Sequence, residues 1–125
     1  MLKGTDFDTV LQANLENLTL TYGSEAVIGV GNDLNNLIIG NEEGNQLDGG
    51  IGGYDTLFGN EGNDTLRIAE DGLIYAGSGD DLVIGGTGSN YLDGDEGDDT
   101  IVAGNGDDIL VGGIGADLMQ GWRWQ

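Results

Sequence analysis

The sequence predicts an all-β fold of short repeated strands, and three observations predict it. From Ala76 to Gln120 the chain is five nonapeptides joined without a gap: AGSGDDLVI, GGTGSNYLD, GDEGDDTIV, AGNGDDILV and GGIGADLMQ. Each holds a glycine-rich turn ending at Asp81, Asn90, Asp99, Asp108 or Asp117, and two residues later an apolar residue, Val83, Leu92, Ile101, Leu110 or Met119. That apolar residue points into a thin core while its neighbours point out, which gives one short strand per nonapeptide. Composition supplies the third observation. The 125 residues include 26 Gly and no Pro, and so much glycine without a collagen period means either turns or disorder. Glycine recurs because the turn visits positive φ and lets carbonyls crowd inward, which a Cβ would obstruct.

Two copies fix the pattern: GGIGADLMQ (Gly112 to Gln120) and, upstream of the five, GNEGNDTLR (Gly59 to Arg67) both approach GGxGxDxUx, and the other copies differ mainly at the first two positions. The chain thereby resembles the RTX family of haemolysin-type calcium-binding repeats. The resemblance implies a right-handed parallel β-roll, a β-solenoid with two nonapeptides per coil and calcium held between successive turns on each edge.

Taken in order, Met1 to Asn17 is polar and shows no repeat. Leu18 to Thr21 and Ala26 to Ile28 look like short strands around the turn signal Tyr22-Gly23-Ser24, so residues 15 to 30 read as an irregular first coil that caps the roll. Gly31 to Ile39 and Gly40 to Asp48 keep the nine-residue step but carry Asn36 and Asn45 in place of Asp. An amide supplies no charge, so these turns read as structural. Gly49 to Phe58 has one residue too many, Gly59 to Arg67 is regular, and both restore the acid, as Asp55 and Asp64. Ile68 to Tyr75 is one residue short, lacks the glycine turn and sets Gly72 at the ligand position, so one edge is interrupted there. The expected organisation is one continuous domain: an irregular segment and first coil over 1–30, degenerate repeats over 31–75, regular repeats over 76–120 and a tail over 121–125. Trp122 and Trp124 in that tail are expected to plug the open end of the core.

Charge and missing residue types exclude much. With 23 acidic and 3 basic residues the formal net charge is −20, which repels nucleic acid and anionic membranes and favours cations or a basic surface. Met1 to Val10 carries Asp6 and Asp8 where a signal peptide would be apolar, and no apolar run is long enough to span a membrane. The resemblance implies a secreted, extracellular protein, by a C-terminal signal and type I secretion. The long secretion segment typical of that family is missing after Gln120, so the chain reads as part of a larger protein. Without His or Cys there is no imidazole base, no thiol and no zinc motif. Asp93-Gly94-Asp95 begins like an EF-hand loop, but Gly104 stands at its twelfth position. No enzymatic activity is expected.

If two nonapeptides make one coil, alternate copies share an edge. One edge then carries Asn45, Asp64, Asp81, Asp99 and Asp117, the other Asn36, Asp55, Gly72, Asn90 and Asp108. Coils about 4.8 Å apart bring like charges close enough to repel by ~3–4 kcal/mol at an effective dielectric of 20. A cation between them reverses that sign. Hard oxygen ligands favour Ca²⁺ or Mg²⁺ over zinc or copper, and a site rich in carbonyls suits Ca²⁺ better. The expected metal-site residues are Asp64, Asp81, Asp99, Asp117, Asp108, Asp55 and Asn90, with the turn glycines Gly62, Gly79, Gly88, Gly97, Gly106 and Gly115. The first acid of Asp80-Asp81, Asp98-Asp99 and Asp107-Asp108 reads as an outward charge only. Leu37, Ile39, Phe58, Leu73, Tyr75, Ile109 and Val111 are expected outward, mostly on one sheet, as a docking face for an adjoining domain. The leading expectation is a calcium-dependent folding module of a secreted protein; the alternatives are an accessory polysaccharide-binding module of a secreted enzyme and a spacer or surface module of a large adhesin.

Overall fold

A turn every nine residues forces the chain to reverse before any strand grows long. The computed structural model describes residues 2–5 and 8–121, and every regular element among them is a strand. In pairs along the chain these are β1 (Leu2–Thr5) and β2 (Thr9–Val10), β3 (Asn17–Leu20) and β4 (Ile28–Val30), β5 (Leu37–Ile39) and β6 (Gln46–Asp48), and β7 (Asp55–Glu61) and β8 (Thr65–Arg67). Then come β9 (Gly72–Ser78) and β10 (Leu82–Ile84), β11 (Asn90–Glu96) and β12 (Thr100–Val102), and β13 (Ile109–Ile114) and β14 (Leu118–Gln120). Odd strands form one seven-stranded sheet and even strands another, each in chain order. All pairings are parallel. Two nonapeptides therefore make one coil of a parallel β-solenoid.

The core is built on two columns of single side chains, with Leu11, Leu20, Ala26, Ile68, Ala76 and Ala103 packed beside them. On the odd sheet Leu18, Ile38, Leu57, Ile74, Leu92 and Leu110 stack in register; on the even sheet Gly29, Leu47, Leu66, Val83, Ile101 and Met119 do so. Within the stack these leucines, isoleucines and Val83 are fully buried. At its end, where no described coil covers them, Leu110 is half-buried and Met119 exposed. Every outward apolar residue expected on one sheet lies on the odd one, joined by Tyr91. There the rings of Phe58 and Tyr75 stack with centroids 5.1 Å apart, and Tyr75 meets Tyr91 at 5.7 Å.

Residues 15–30 are not the first coil. The β1 strand pairs with β3, and β2 with β4, so a coil precedes them that the sequence concealed by lacking glycine turns. Its Asp8 carboxylate accepts the N–H groups of Val27 and Ile28, both at 2.8 Å. The expectation for Trp122 and Trp124 lies outside the described residues.

Irregular copies are absorbed in turns. Equivalent turn residues lie 18 apart in the regular coils, as with Asp81 and Asp99, but 19 apart from Asn36 to Asp55 and 17 apart from Asp64 to Asp81. The extra residue in 49–58 and the missing one in 68–75 leave the core columns in register, since a slip within a strand would turn its apolar side outward.

Coil stacking dictates the fourth residue of each nonapeptide. Gly97 has φ +133, and a Cβ there would overlap the carbonyl oxygen of Gly79 directly below. By contrast, Gly23 has φ +77 with open space around it. Gly97→Ala therefore meets both strain and a backbone clash, Gly23→Ala only the ~1–2 kcal/mol of left-handed strain. Thermal unfolding of the two variants in millimolar calcium should show a clearly larger loss of Tm for Gly97→Ala; equal losses would mean that the coils are not packed this closely.

Candidate metal centre

The two edges of the solenoid are built from the turns between sheets. Between odd and following even strands lie Asn45, Asp64, Asp81, Asp99 and Asp117; on the other edge Asn36 and Asp108 directly precede β5 and β13, and Asp55, Gly72 and Asn90 open β7, β9 and β11 in the same row. Neighbours are joined directly. On the first edge the backbone N–H of Asn45 donates to Oδ1 of Asp64 at 2.6 Å, Asp64 to Asp81 at 2.7 Å, Asp81 to Asp99 at 2.9 Å and Asp99 to Asp117 at 3.0 Å. On the second edge Asn36 donates to Asp55 and Asn90 to Asp108 in the same way. At the interruption the N–H of Asp55 meets only the carbonyl of Asp71, at 3.4 Å.

Each carboxylate thus spends one oxygen on the coil beneath it, and in three of them the other oxygen is buried with no donor. Oδ2 of Asp64, Asp81 and Asp99 is buried and accepts no hydrogen bond, and Oδ1 of Asn90 is in the same condition. Burial pushes the Asp64 carboxyl up to about 7 against the lowering effect of the Asn45 N–H, with Asp81 adding to the rise. Burial likewise raises Asp55 and Asp81 to about 6, and it raises Asp99, with Asp117 contributing. Asp108 and Asp117, in the last coil, are only half-buried.

Glycines make the space that these oxygens face. A Cβ on Gly59 would overlap both Oδ2 of Asp64 and the carbonyl oxygen of Ala76, and one on Gly94 would strike Oδ2 of Asp99 and lie close to the Gly112 carbonyl. Gly62, Gly79, Gly97 and Gly115 stack on the first edge, each against a carbonyl of the turn below, and Gly106 sits over Gly88 on the second. The arrangement is an oxygen-lined cradle of carboxylate and carbonyl groups. Among the described residues no three carboxylates converge, so a cation here would draw most of its ligands from backbone carbonyls. A hard cation fits: the groups facing the cradle are oxygens, the chain has no His or Cys to favour a softer metal, and the buried free oxygens need a positive partner or a proton.

Sequence reasoning missed two sets of residues. The acids read as mere outward charges form a second ladder: Asp80 donates its N–H to Oδ1 of Asn63, Asp98 to Asp80 and Ala116 to Asp98, each at 2.9 Å. On the other edge Asp71 accepts the Ser89 N–H at 2.7 Å. These exposed acids cap the backbone of the next coil, a role that calls for Asp or Asn and so looks like solvated charge in the sequence. The opening glycines, Gly59, Gly94 and Gly112, were the other omission; their recurrence was the available signal, blurred by Ala76 and Ala103.

A family model of the RTX calcium-binding nonapeptide repeat, in 4 copies, matches residues 30–66, 73–92 and 84–119. The chain belongs to the RTX calcium-binding repeat family. Its matched segments leave out 67–72, where the glycine turn is lost and Gly72 takes the acid's place. RTX repeats bind calcium and occur in secreted proteins, and a β-roll of them is a structural calcium-binding unit. No curated protein and no solved structure matches the chain. No helix of the described residues is long and apolar enough to cross a membrane.

The raised carboxyls give metal-free protein a definite pH response. Because the folded pKa of Asp64, Asp55 and Asp81 lies above the ordinary value of 3.8, the folded state binds protons more readily than the unfolded one. Their destabilising effect is complete above about 7 and is relieved as pH falls from there towards 3.8. Circular dichroism in metal-free buffer should show more β structure at pH 5 than at pH 8. A smaller β signal at pH 5 would contradict the desolvation of these groups.

Proposed function

We propose that this chain is a calcium-dependent folding module of a secreted protein, exported by a type I route, in which binding energy is converted into folding energy. The observation that carries this reading is the row of buried carboxylate oxygens without donors at Asp64, Asp81 and Asp99. Those oxygens oppose folding when bare, and a core of single side-chain columns offsets little of that cost. In this reading Asp64, Asp81, Asp99 and Asp117 hold calcium on the first edge, and Asp55, Asp108 and Asn90 hold it less well on the second. Carbonyls of the turns at Gly62, Gly79, Gly88, Gly97, Gly106 and Gly115 complete the coordination. Calcium bound there supplies the positive charge that neutralises the rows; the chain's own residues set the spacing, exclude water and orient the oxygens.

A polysaccharide-binding role draws less support. Phe58, Tyr75 and Tyr91 form a half-buried ladder, but Phe58 and Tyr75 spend ring faces on each other, and Arg67 is paired with Asp48 at 3.6 Å.

Far-ultraviolet circular dichroism tests the folding role. At neutral pH the protein should lose most of its β signal in chelator and regain it in millimolar Ca²⁺, with Mg²⁺ at equal concentration giving little recovery. An unchanged β spectrum in chelator would refute the switch, and equal recovery with both ions would make screening the cause.

The unequal edges give a sharper test. Asp99→Asn keeps an acceptor for the Asp81 N–H but removes a charge flanked by Asp81 and Asp117, whereas Asn90→Ala removes a neutral group between Gly72 and Asp108. Affinity rises with ligand charge, so the calcium midpoint of folding should rise several-fold, about 1 kcal/mol per lost charge-assisted contact, for Asp99→Asn and far less for Asn90→Ala. Calcium titrations of both variants decide it, and a larger shift for Asn90→Ala would reverse the assignment of strong and weak edges.

A further inference from the structure

The turns of the early coils are closed differently from those that follow. Where later coils mostly have Asp at the sixth position and Gly at the second, these have a pair of asparagines, Asn32 with Asn36 and Asn41 with Asn45. Within each pair the bonding is reciprocal. Asn45 Oδ1 accepts the Asn41 N–H at 2.8 Å while its Nδ2 donates to Asn41 Oδ1 at 2.9 Å; Asn36 and Asn32 do the same at 2.7 and 2.9 Å. The freed amide then reaches down to the coil below. Asn32 Nδ2 donates to the carbonyls of Gln12 and Leu15, both at 2.6 Å, and Asn36 Nδ2 to that of Glu16 at 3.1 Å. Asn41 Nδ2 donates to the carbonyls of Ala26 at 2.8 Å and Thr21 at 3.3 Å.

Backbone carbonyls that crowd together at a turn need positive charge or N–H groups facing them, and here side-chain amides supply the N–H groups. The next coil is intermediate: Asn60 still donates to the Gly40 carbonyl at 2.8 Å, but Asp64 has replaced the second amide and its Oδ2 is unpartnered. From there on the second position is Gly77, Asp95 or Gly113 on this edge and Gly86 or Gly104 on the other, none of which carries an amide.

We infer that the Asn32–Asn36 and Asn41–Asn45 pairs stand in for the cation at their turns, so that the coils up to about residue 48 fold without calcium and form a base onto which the carboxylate coils are added when calcium arrives. This rests on the calcium-driven folding of the later coils proposed above. The Asn pairs carry no charge, so they do not repel one another as facing carboxylates do, and their polar atoms are satisfied within the chain. The base also presents to the next coil the N–H groups of Asn36 and Asn45, which Asp55 and Asp64 accept. Addition therefore begins on a surface that already offers donors to the incoming acids.

Hydrogen–deuterium exchange of the full chain, resolved along the sequence, tests this. In chelator at neutral pH, amides over 28–48 should exchange roughly tenfold or more slowly than those over 76–120, and millimolar Ca²⁺ should extend the protection to 76–120. Absence of protection over 28–48 in chelator, with recovery everywhere in calcium, would overturn the inference and leave the calcium-driven reading intact. Uniform protection in chelator would overturn both. As a second measurement, the double variant Asn41→Asp, Asn45→Asp loses the amide donors to the Thr21 and Ala26 carbonyls; its protection over 28–48 in chelator should disappear and return in calcium. Retained protection in chelator would show that the amide pairs do not hold the base together.

Discussion

Crowding of oxygen atoms at the coil edges is the constraint on which this structure depends. A parallel solenoid repeats its turns at the sheet spacing of about 4.8 Å, so each turn must lie on the one beneath it with carbonyls and acids stacked in rows. The strands can be short and the core thin because the chain's difficulty is not there. It is at the edges, where Gly97 lies against Gly79 with no room for a side chain and where Asp64, Asp81 and Asp99 each turn one oxygen to the neighbouring backbone and leave the other bare. Three chemical means are available to relieve such a row: a proton, a cation or a neutral donor. The raised acids answer to the first, the family's affinity for calcium supplies the second, and the asparagine pairs of the early coils use the third.

This division explains why composition is so one-sided. A charge of −20 on 125 residues opposes compaction in an ordinary domain, and here part of it lies in two ladders that run through the later coils. The buried ladder, through Asp64, Asp81 and Asp99, orders the turns and holds the unpartnered oxygens. The exposed ladder, through Asn63, Asp80 and Asp98, caps backbone N–H groups and remains in water. Adjacent acids such as Asp80 and Asp81 are thus chemically distinct despite sharing a residue type, one solvated and one desolvated.

Much of the fold was legible in the sequence because the period of nine fixes both the inward residue and the turn. Val83, Leu92 and Ile101 sit inside as their spacing required, and alternate copies share an edge down to the break at Gly72. The first coil, β1 with β2, was not legible: its turns are held by Asp8 and by later residues through long-range bonds, and nothing local marks them. The donors to the acids were equally hidden, since a backbone N–H leaves no trace in residue type. The asparagines at Asn36 and Asn45 were recognisable as uncharged, but their pairing with Asn32 and Asn41 depends on geometry across the turn, four residues back.

The two hydrogen-bond ladders also run in opposite directions, and this has a consequence for cooperativity. At the sixth position each N–H is satisfied by the following coil, as Asp81 is by Asp99, while at the fifth each N–H is satisfied by the preceding one, as Asp98 is by Asp80. A coil therefore lacks part of its bonding on whichever side its neighbour is missing. In a one-dimensional array this makes the coupling between neighbours large relative to what any unit holds alone, so interior openings are disfavoured and fraying is confined to ends. On the second edge this ladder is broken at two successive joints among the described residues, where Asp55 meets the carbonyl of Asp71 in place of a carboxylate and where Oδ1 of Asn90 accepts no N–H, and there the ladder's coupling is carried by the first edge.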